Sequence, residues 1–178
     1  MMDSQTDIGI LAGTEIFRSL SGEILDEVRR AASRRRLARK EVLYHQGDAV
    51  RNFYVVVVGR LRATQTTEEG NQIALRYLGP GELVGYAALA GIPDYPGTVV
   101  AVEDTHLFAW SAGAMRELMG RHPQIALNAV AVLGTRYRET QARLREISTE
   151  TVERRIAHAL LRLARQAGRR TAQGTEIC

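Results

Sequence analysis

Between Phe53 and Gly85 short apolar runs alternate with glycines. Phe53-Tyr54-Val55-Val56-Val57-Val58 ends at Gly59-Arg60, a turn follows at Glu69-Gly70-Asn71, Ile73-Ala74-Leu75-Arg76-Tyr77-Leu78 comes next, and Gly79-Pro80-Gly81-Glu82-Leu83-Val84-Gly85 closes the series. β-Branched and aromatic residues suit the pleated, half-buried surface of a strand, and glycine reaches the positive φ that tight corners need. Further short runs continue the pattern at Val42–Tyr44, Leu61–Thr66, Thr98–Val102 and His106–Trp110, with turn signals at Gly47-Asp48 and Glu103-Asp104. Strands of this length and spacing predict a small barrel or sandwich over residues 41–110. The last glycine cluster, followed by Ala87-Ala88-Leu89-Ala90, reads either as a plain hairpin turn or as a loop of exposed backbone N–H groups that cradles a phosphate.

The flanks are helical in period. Residues 1–15 read as a frayed leader, and a helix is expected from Gly22 to about Ser33, with Ser21 as its N-cap and Ile24, Leu25, Val28 and Ala32 on one face. The run Arg34-Arg35-Arg36, with Arg39-Lys40, then reads as a solvated connector or a nucleic-acid patch. After Ser111 a short helix over Ala112–Met119 is expected to stop near Gly120, and Pro123 suits the first turn of a longer one. That longer helix carries Val130, Leu133, Tyr137, Thr140, Leu144 and Ile147 at gaps of 3, 4, 3, 4 and 3 residues. This is a heptad seam with one polar member, expected to form a parallel homodimer contact. A third helix follows from about Thr151 to Ala167, capped by Gly168. A turn at Gln173-Gly174 then leads into Glu176-Ile177-Cys178, which reads as the opening of an unfinished strand. The expected organisation is a sensor domain over residues 1–120, a dimerisation helix over 121–149, and the start of a further domain over 150–178.

Charge is divided along the chain. Residues 1–110 hold 12 basic and 14 acidic side chains, whereas residues 111–178 hold 12 arginines against 6 glutamates. A basic C-terminal part on a slightly acidic body suits contact with a polyanion such as DNA, or is a helix surface written in arginine. No apolar run approaches the ~20 residues of a membrane helix, and the N-terminus carries no signal-like stretch, so a cytoplasmic protein without membrane contact is expected. A single cysteine, Cys178, leaves no internal disulfide and no iron–sulfur cluster. His45, His106, His122 and His158 fall on separate segments with no His-x-His pair, so no metal barrel is expected. No Gly-x-Ser-x-Gly elbow and no local carboxylate pair point to catalysis, and an enzyme is not expected.

In this order, the opening Ile16-Phe17-Arg18-Ser19-Leu20-Ser21, Gly47-Asp48, Gly59-Arg60, Glu69-Gly70, the loop Gly79–Gly85, His122-Pro123 and Arg154-Arg155-Ile156-Ala157 resemble the Crp/Fnr family of bacterial transcription regulators. The resemblance runs from about Phe17 to Cys178. It implies an α+β chain: a cyclic-nucleotide-binding-type β-roll (a double-stranded β-helix, or jelly roll) with flanking helices, a long dimerisation helix, and the first helix of a winged helix-turn-helix that ends before its recognition helix. The implied function is the effector-sensing and dimerising part of a DNA-binding regulator; the alternative is a regulatory module acting by protein contact. The implied effector pocket comprises Gly81, Glu82, Gly85, Tyr86, Ala87, Gly97, Thr98 and Thr140. Family members that bind cyclic AMP place a ribose-binding glutamate where this chain has Tyr86, and an arginine for the cyclic phosphate where it has Gly97. Losing both removes roughly several kcal/mol of binding. The expected effector is therefore a small molecule other than cyclic AMP, with Tyr86, Pro93, Tyr95 and Pro96 either closing on an apolar ligand or filling the space. Haem-sensing relatives use one protein ligand, which leaves haem open at His45, His106 or His158. No DNA-binding residue is assigned.

Overall fold

The computed structural model describes residues 4–171 and 174–177; Gln173 of the expected turn and Cys178 lie outside the described residues. The chain divides into two compact units, residues 1–129 and 130–178. The first opens with α1 (Ser4–Gly13), a 3₁₀ turn (Glu15–Phe17) and α2 (Gly22–Arg30). Then come β1 (Ser33–Leu37), β2 (Val42–Tyr44), β3 (Asn52–Val58), β4 (Leu61–Thr66), β5 (Gln72–Leu78) and β6 (Leu83–Val84). The short α3 (Ala87–Ala90), β7 (Thr98–Ala101), β8 (Thr105–Ser111), α4 (Ala112–Arg121) and the start of α5 (Pro123–Thr149) complete it. Two antiparallel four-stranded sheets, ordered β1-β8-β3-β6 and β2-β7-β4-β5, make the roll. This is the β-roll with flanking helices that the resemblance implies, where the strand spacing alone predicts a small barrel or sandwich.

Strand β3 shows why the roll holds. Its residues Phe53 to Val57 are all buried, the mark of a strand covered on both faces. Tyr54 and Val56 point between the sheets, into a core shared with Leu37, Leu61, Leu78, Val84 and Leu107. Phe53 points the other way, with Phe17 at 6.4 Å and Trp110 at 5.4 Å between ring centroids. Trp110 is fully buried, and its Nε1 donates to the Val28 carbonyl at 2.8 Å, which ties α2 to the sheet. Asn128, also buried, donates through Nδ2 to the carbonyls of Ile16 (3.0 Å) and Arg18 (2.8 Å), fixing the first turns of α5 to the 3₁₀ turn. At Gly59 (φ +91°) a Cβ would overlap the Asp104 carbonyl oxygen, so only glycine turns this corner.

Several expectations are corrected. Residues 4–13 form a helix and not a frayed leader: Leu11 is buried, and buried Asp7 pairs with Arg34. The second helix ends at Arg30, and the arginine run that followed it is strand β1, paired with β8 from Ser33↔Ala109 to Leu37↔Thr105. Arg34 lies over the Phe108 ring at 5.6 Å, so sheet pairing and aromatic contact outweigh the charge of the run. Helix α4, by contrast, starts at Ala112 as expected and ends at Arg121, next to the expected stop at Gly120. The two-residue β6 and the four-residue α3 carry no periodic signal in the sequence.

In the second unit α5 continues to Thr149, and α6 (Val152–Ala167) pairs with it through Arg162 and Glu146 at 2.5 Å. Gly168 is extended (φ −73°) and opens β9 (Gly168–Thr171) in place of a left-handed cap. β9 pairs antiparallel with β10 (Gly174–Ile177), so the strand read as unfinished is one arm of a hairpin.

Candidate functional site: a tyrosine-walled cavity and an exposed heptad seam

Gly85, Tyr86 and Ala87, after β6, face Gly97, before β7, across a cavity of about 80 Å³. Tyr44, Leu75, Arg76 and Tyr95 complete the walls that matter. Gly85 (φ +75°) permits the approach, since a Cβ there would stand 3.1 Å from the Asn52 carbonyl and 3.3 Å from the Tyr95 ring. Gly97 is tighter still. A Cβ would meet the Thr64 carbonyl oxygen at 2.6 Å, so β4 leaves this position no room for any side chain.

The rings of Tyr44 and Tyr95 stack at 3.6 Å with 8° between their planes. The Tyr95 hydroxyl donates to the Asn52 carbonyl at 2.7 Å and accepts from its N–H at 3.2 Å, which fixes the ring. Burial pushes the Tyr44 phenol well above its ordinary value, and burial likewise raises Tyr95, so both remain neutral hydrogen-bonding groups across physiological pH. The cavity is smaller than the ~150 Å³ that accommodates one benzene.

Gly81, Glu82 and Thr98 do not line this cavity. Gly81 (φ +80°) turns the chain, and its N–H bonds the Val56 carbonyl at 2.8 Å. Glu82 accepts from the Gly79 N–H at 2.7 Å and pairs with Arg76 at 2.5 Å, closing its own turn. The Thr98 hydroxyl accepts from the Gln46 N–H at 3.0 Å. Thr140 belongs to the second unit, where its hydroxyl donates to the Arg136 carbonyl of the same helix at 3.0 Å. Tyr44 comes from β2, distant in the sequence, and Leu75 and Arg76 from β5 just before the glycine loop; the alternation of β5 alone would have turned Arg76 and Ala74 to one face, without saying which cavity lay there.

Along α5, Val130 (68% exposed), Tyr137 (65%), Leu144 (55%) and Ile147 (58%) stand in solvent, while Leu133 is half-buried. Leu127, three residues before Val130 and 64% exposed, is a further exposed apolar residue at this end of the helix, one position off the heptad register. The histidines play local parts. His122 Nε2 sits 2.8 Å from Glu27 Oε2, and this hydrogen bond holds the Glu27 carboxyl below the usual carboxylate range. His158 lies 3.4 Å from Glu150. Among the described residues no three His, Cys, Asp or Glu side chains gather to hold a metal ion, and no helix is long and apolar enough to cross a membrane.

Residues 34–122 match the family of cyclic nucleotide-binding domains. The Cyclic AMP receptor protein of Thermus thermophilus is 35% identical over 156 residues, which cover 88% of this chain and 72% of that protein. The cAMP-activated global transcriptional regulator CRP of Haemophilus influenzae is 28% identical over 128 residues, 71% of this chain and 57% of that one. The crystal structure of Thermus thermophilus Catabolite Activator Protein superposes with a TM-score of 0.72 at 34% identity, covering 85% of this chain and 71% of that chain.

Proposed function

Because the chain belongs to the Crp/Fnr family of transcription regulators and carries its cyclic nucleotide-binding domain, we propose that it is the effector-sensing and dimerising part of a DNA-binding regulator whose effector is not cyclic AMP. The observation that carries this reading is the cavity wall. A cyclic phosphate needs a cation; at Gly97 the Thr64 carbonyl closes the space an arginine side chain would need, and the cation that does line the cavity, Arg76, is already paired with Glu82. Where cyclic-AMP-binding members hold the ribose with a carboxylate, Tyr86 offers a bulkier phenol.

A compact ligand that wedges against Tyr86 and Tyr95 would shift the Leu83–Ala87 segment against β3. Asn128 links the layer beneath to α5, the helix that bears the heptad seam, so the two-state element is the packing of α5 in a homodimer. The excess of arginine over glutamate in residues 111–178 supports DNA as a partner. A module acting by protein contact alone is not favoured, since the relatives that span most of this chain are transcription regulators. Calorimetry with millimolar cyclic AMP should show no saturable heat. A micromolar dissociation constant, about −8 kcal/mol, would overturn the assignment of the effector.

A further inference from the structure

Of the run Arg34-Arg35-Arg36, only Arg35 shares the strand face of Leu37, whose side chain lies in the core between the sheets. Arg34 and Arg36 point to the opposite face, Arg34 toward Asp7 and Phe108. Half-buried Arg35 and the loop residue Arg51 line a second cavity, of about 290 Å³, with Asp48, Asn52, Tyr44 and Tyr95.

Neither guanidinium has a hydrogen-bond or ion-pair partner among the described residues, whereas Arg29, Arg34, Arg76, Arg121, Arg136 and Arg162 each have a carboxylate. Asp48 lines the same cavity but makes an ion pair with neither arginine; its carboxylate accepts from the His45 N–H at 2.7 Å and closes its own turn, so two cations face one anion there. Two arginines without an ion-pair partner on one concave surface raise its positive potential. The group that relieves this is an oxyanion, whose geometry fits the guanidinium fork. The tyrosine rings offer an apolar wall to whatever carries the charge.

We propose that Arg35 and Arg51 form a second ligand site, for phosphate or a small phosphomonoester, on the same tyrosine pair that walls the effector cavity. The site does not depend on which molecule occupies that cavity. Because Tyr44 and Tyr95 line both spaces, occupancy of one alters the packing available to the other, and any coupling in affinity is reciprocal.

The test is ¹⁹F NMR of the whole chain labelled with 3-fluorotyrosine, with the Tyr44 and Tyr95 signals assigned from Tyr44→Phe and Tyr95→Phe, titrated at constant ionic strength with inorganic phosphate and with phenyl phosphate. A saturable shift of one of these signals is expected. Arg35→Gln and Arg51→Gln should each weaken binding about tenfold, ~1.4 kcal/mol, while Arg36→Gln on the outer face leaves it unchanged. Tighter binding of phenyl phosphate identifies an organic ester as the ligand, and equal binding identifies free phosphate. No saturable shift at tens of millimolar phosphate would overturn the site, as would a shift that Arg35→Gln and Arg51→Gln retain, or that Arg36→Gln loses equally. Should Arg35→Gln fail to fold, as Trp110 emission would reveal, Arg51→Gln on its exposed loop carries the test.

Discussion

Residues 1–129 bury their large apolar side chains against one another, whereas residues 130–178 leave many of theirs in solvent: Val130, Tyr137, Leu144 and Ile147 on α5, and Val152, Ile156, Leu160 and Leu161 on α6. The two units share one chain and differ in what completes them. The roll closes two sheets over a common core and covers β3 on both faces, so its stability is internal. A helix with an apolar stripe at heptad spacing gains little by itself in water and becomes stable when a second surface covers the stripe. On α5 the spacing and the family both point to a second copy of this chain as that surface.

The contrast is sharpest at two side chains. Trp110→Ala removes a fully buried ring packed on Phe17, Phe53 and Phe108 and orphans the Val28 carbonyl. It should cost ~3–5 kcal/mol. Leu144→Ala, at a position 55% exposed, should stay within about 0.5 kcal/mol in the dissociated chain. Urea denaturation at concentrations low enough to dissociate a dimer checks both, and equal losses would erase the distinction between the units.

A smaller effect belongs to the acid side. The hydrogen bond from His122, with Arg121 adding to it, lowers the Glu27 pKa in the folded state. The contact therefore stabilises fully above the ordinary glutamate value of 4.5, and the contribution is lost as pH falls through the lowered one. Thermal melts from neutral pH downward should show a shallower acid decline in Glu27→Gln than in the parent chain. Coincident profiles would show that the pair does nothing for the roll.

The parts of this architecture legible in the sequence are those whose local pattern agrees with their surroundings. Phe53–Val58, Leu61–Thr66 and Ile73–Leu78 are strand formers bounded by glycine turns, and they are strands in the fold. The heptad spacing of α5 predicts a seam, four of whose apolar members, Val130, Tyr137, Leu144 and Ile147, stand exposed in the fold. What escaped the sequence was decided by distant partners. Ser33–Leu37 is polar and basic, yet β8 supplies its hydrogen bonds and Phe108 and Asp7 receive Arg34. Residues 4–13 carry one buried leucine and one buried aspartate, too little period to predict a docked helix. At the cavity the glycine loop and Tyr86 were visible, and the Glu69-Gly70 turn pairs the strand of Arg76 with β4, while Tyr44 enters from β2, whose partner β7 is distant in the sequence. The closed space at Gly97 is a property of β4, not of Gly97 itself.

Sedimentation equilibrium of the 178-residue chain beside its Tyr137→Asp/Leu144→Asp variant tests most directly that the helical unit is completed by a second copy. Both substituted residues are more than half exposed, so the roll should fold unchanged, with Trp110 emission and urea midpoint at low concentration matching the parent. The expected result is a dimer for the parent and a monomer for the variant. A parent chain that stays monomeric across the accessible concentration range, or a variant that remains dimeric, would contradict the assignment of the heptad seam as the dimer interface.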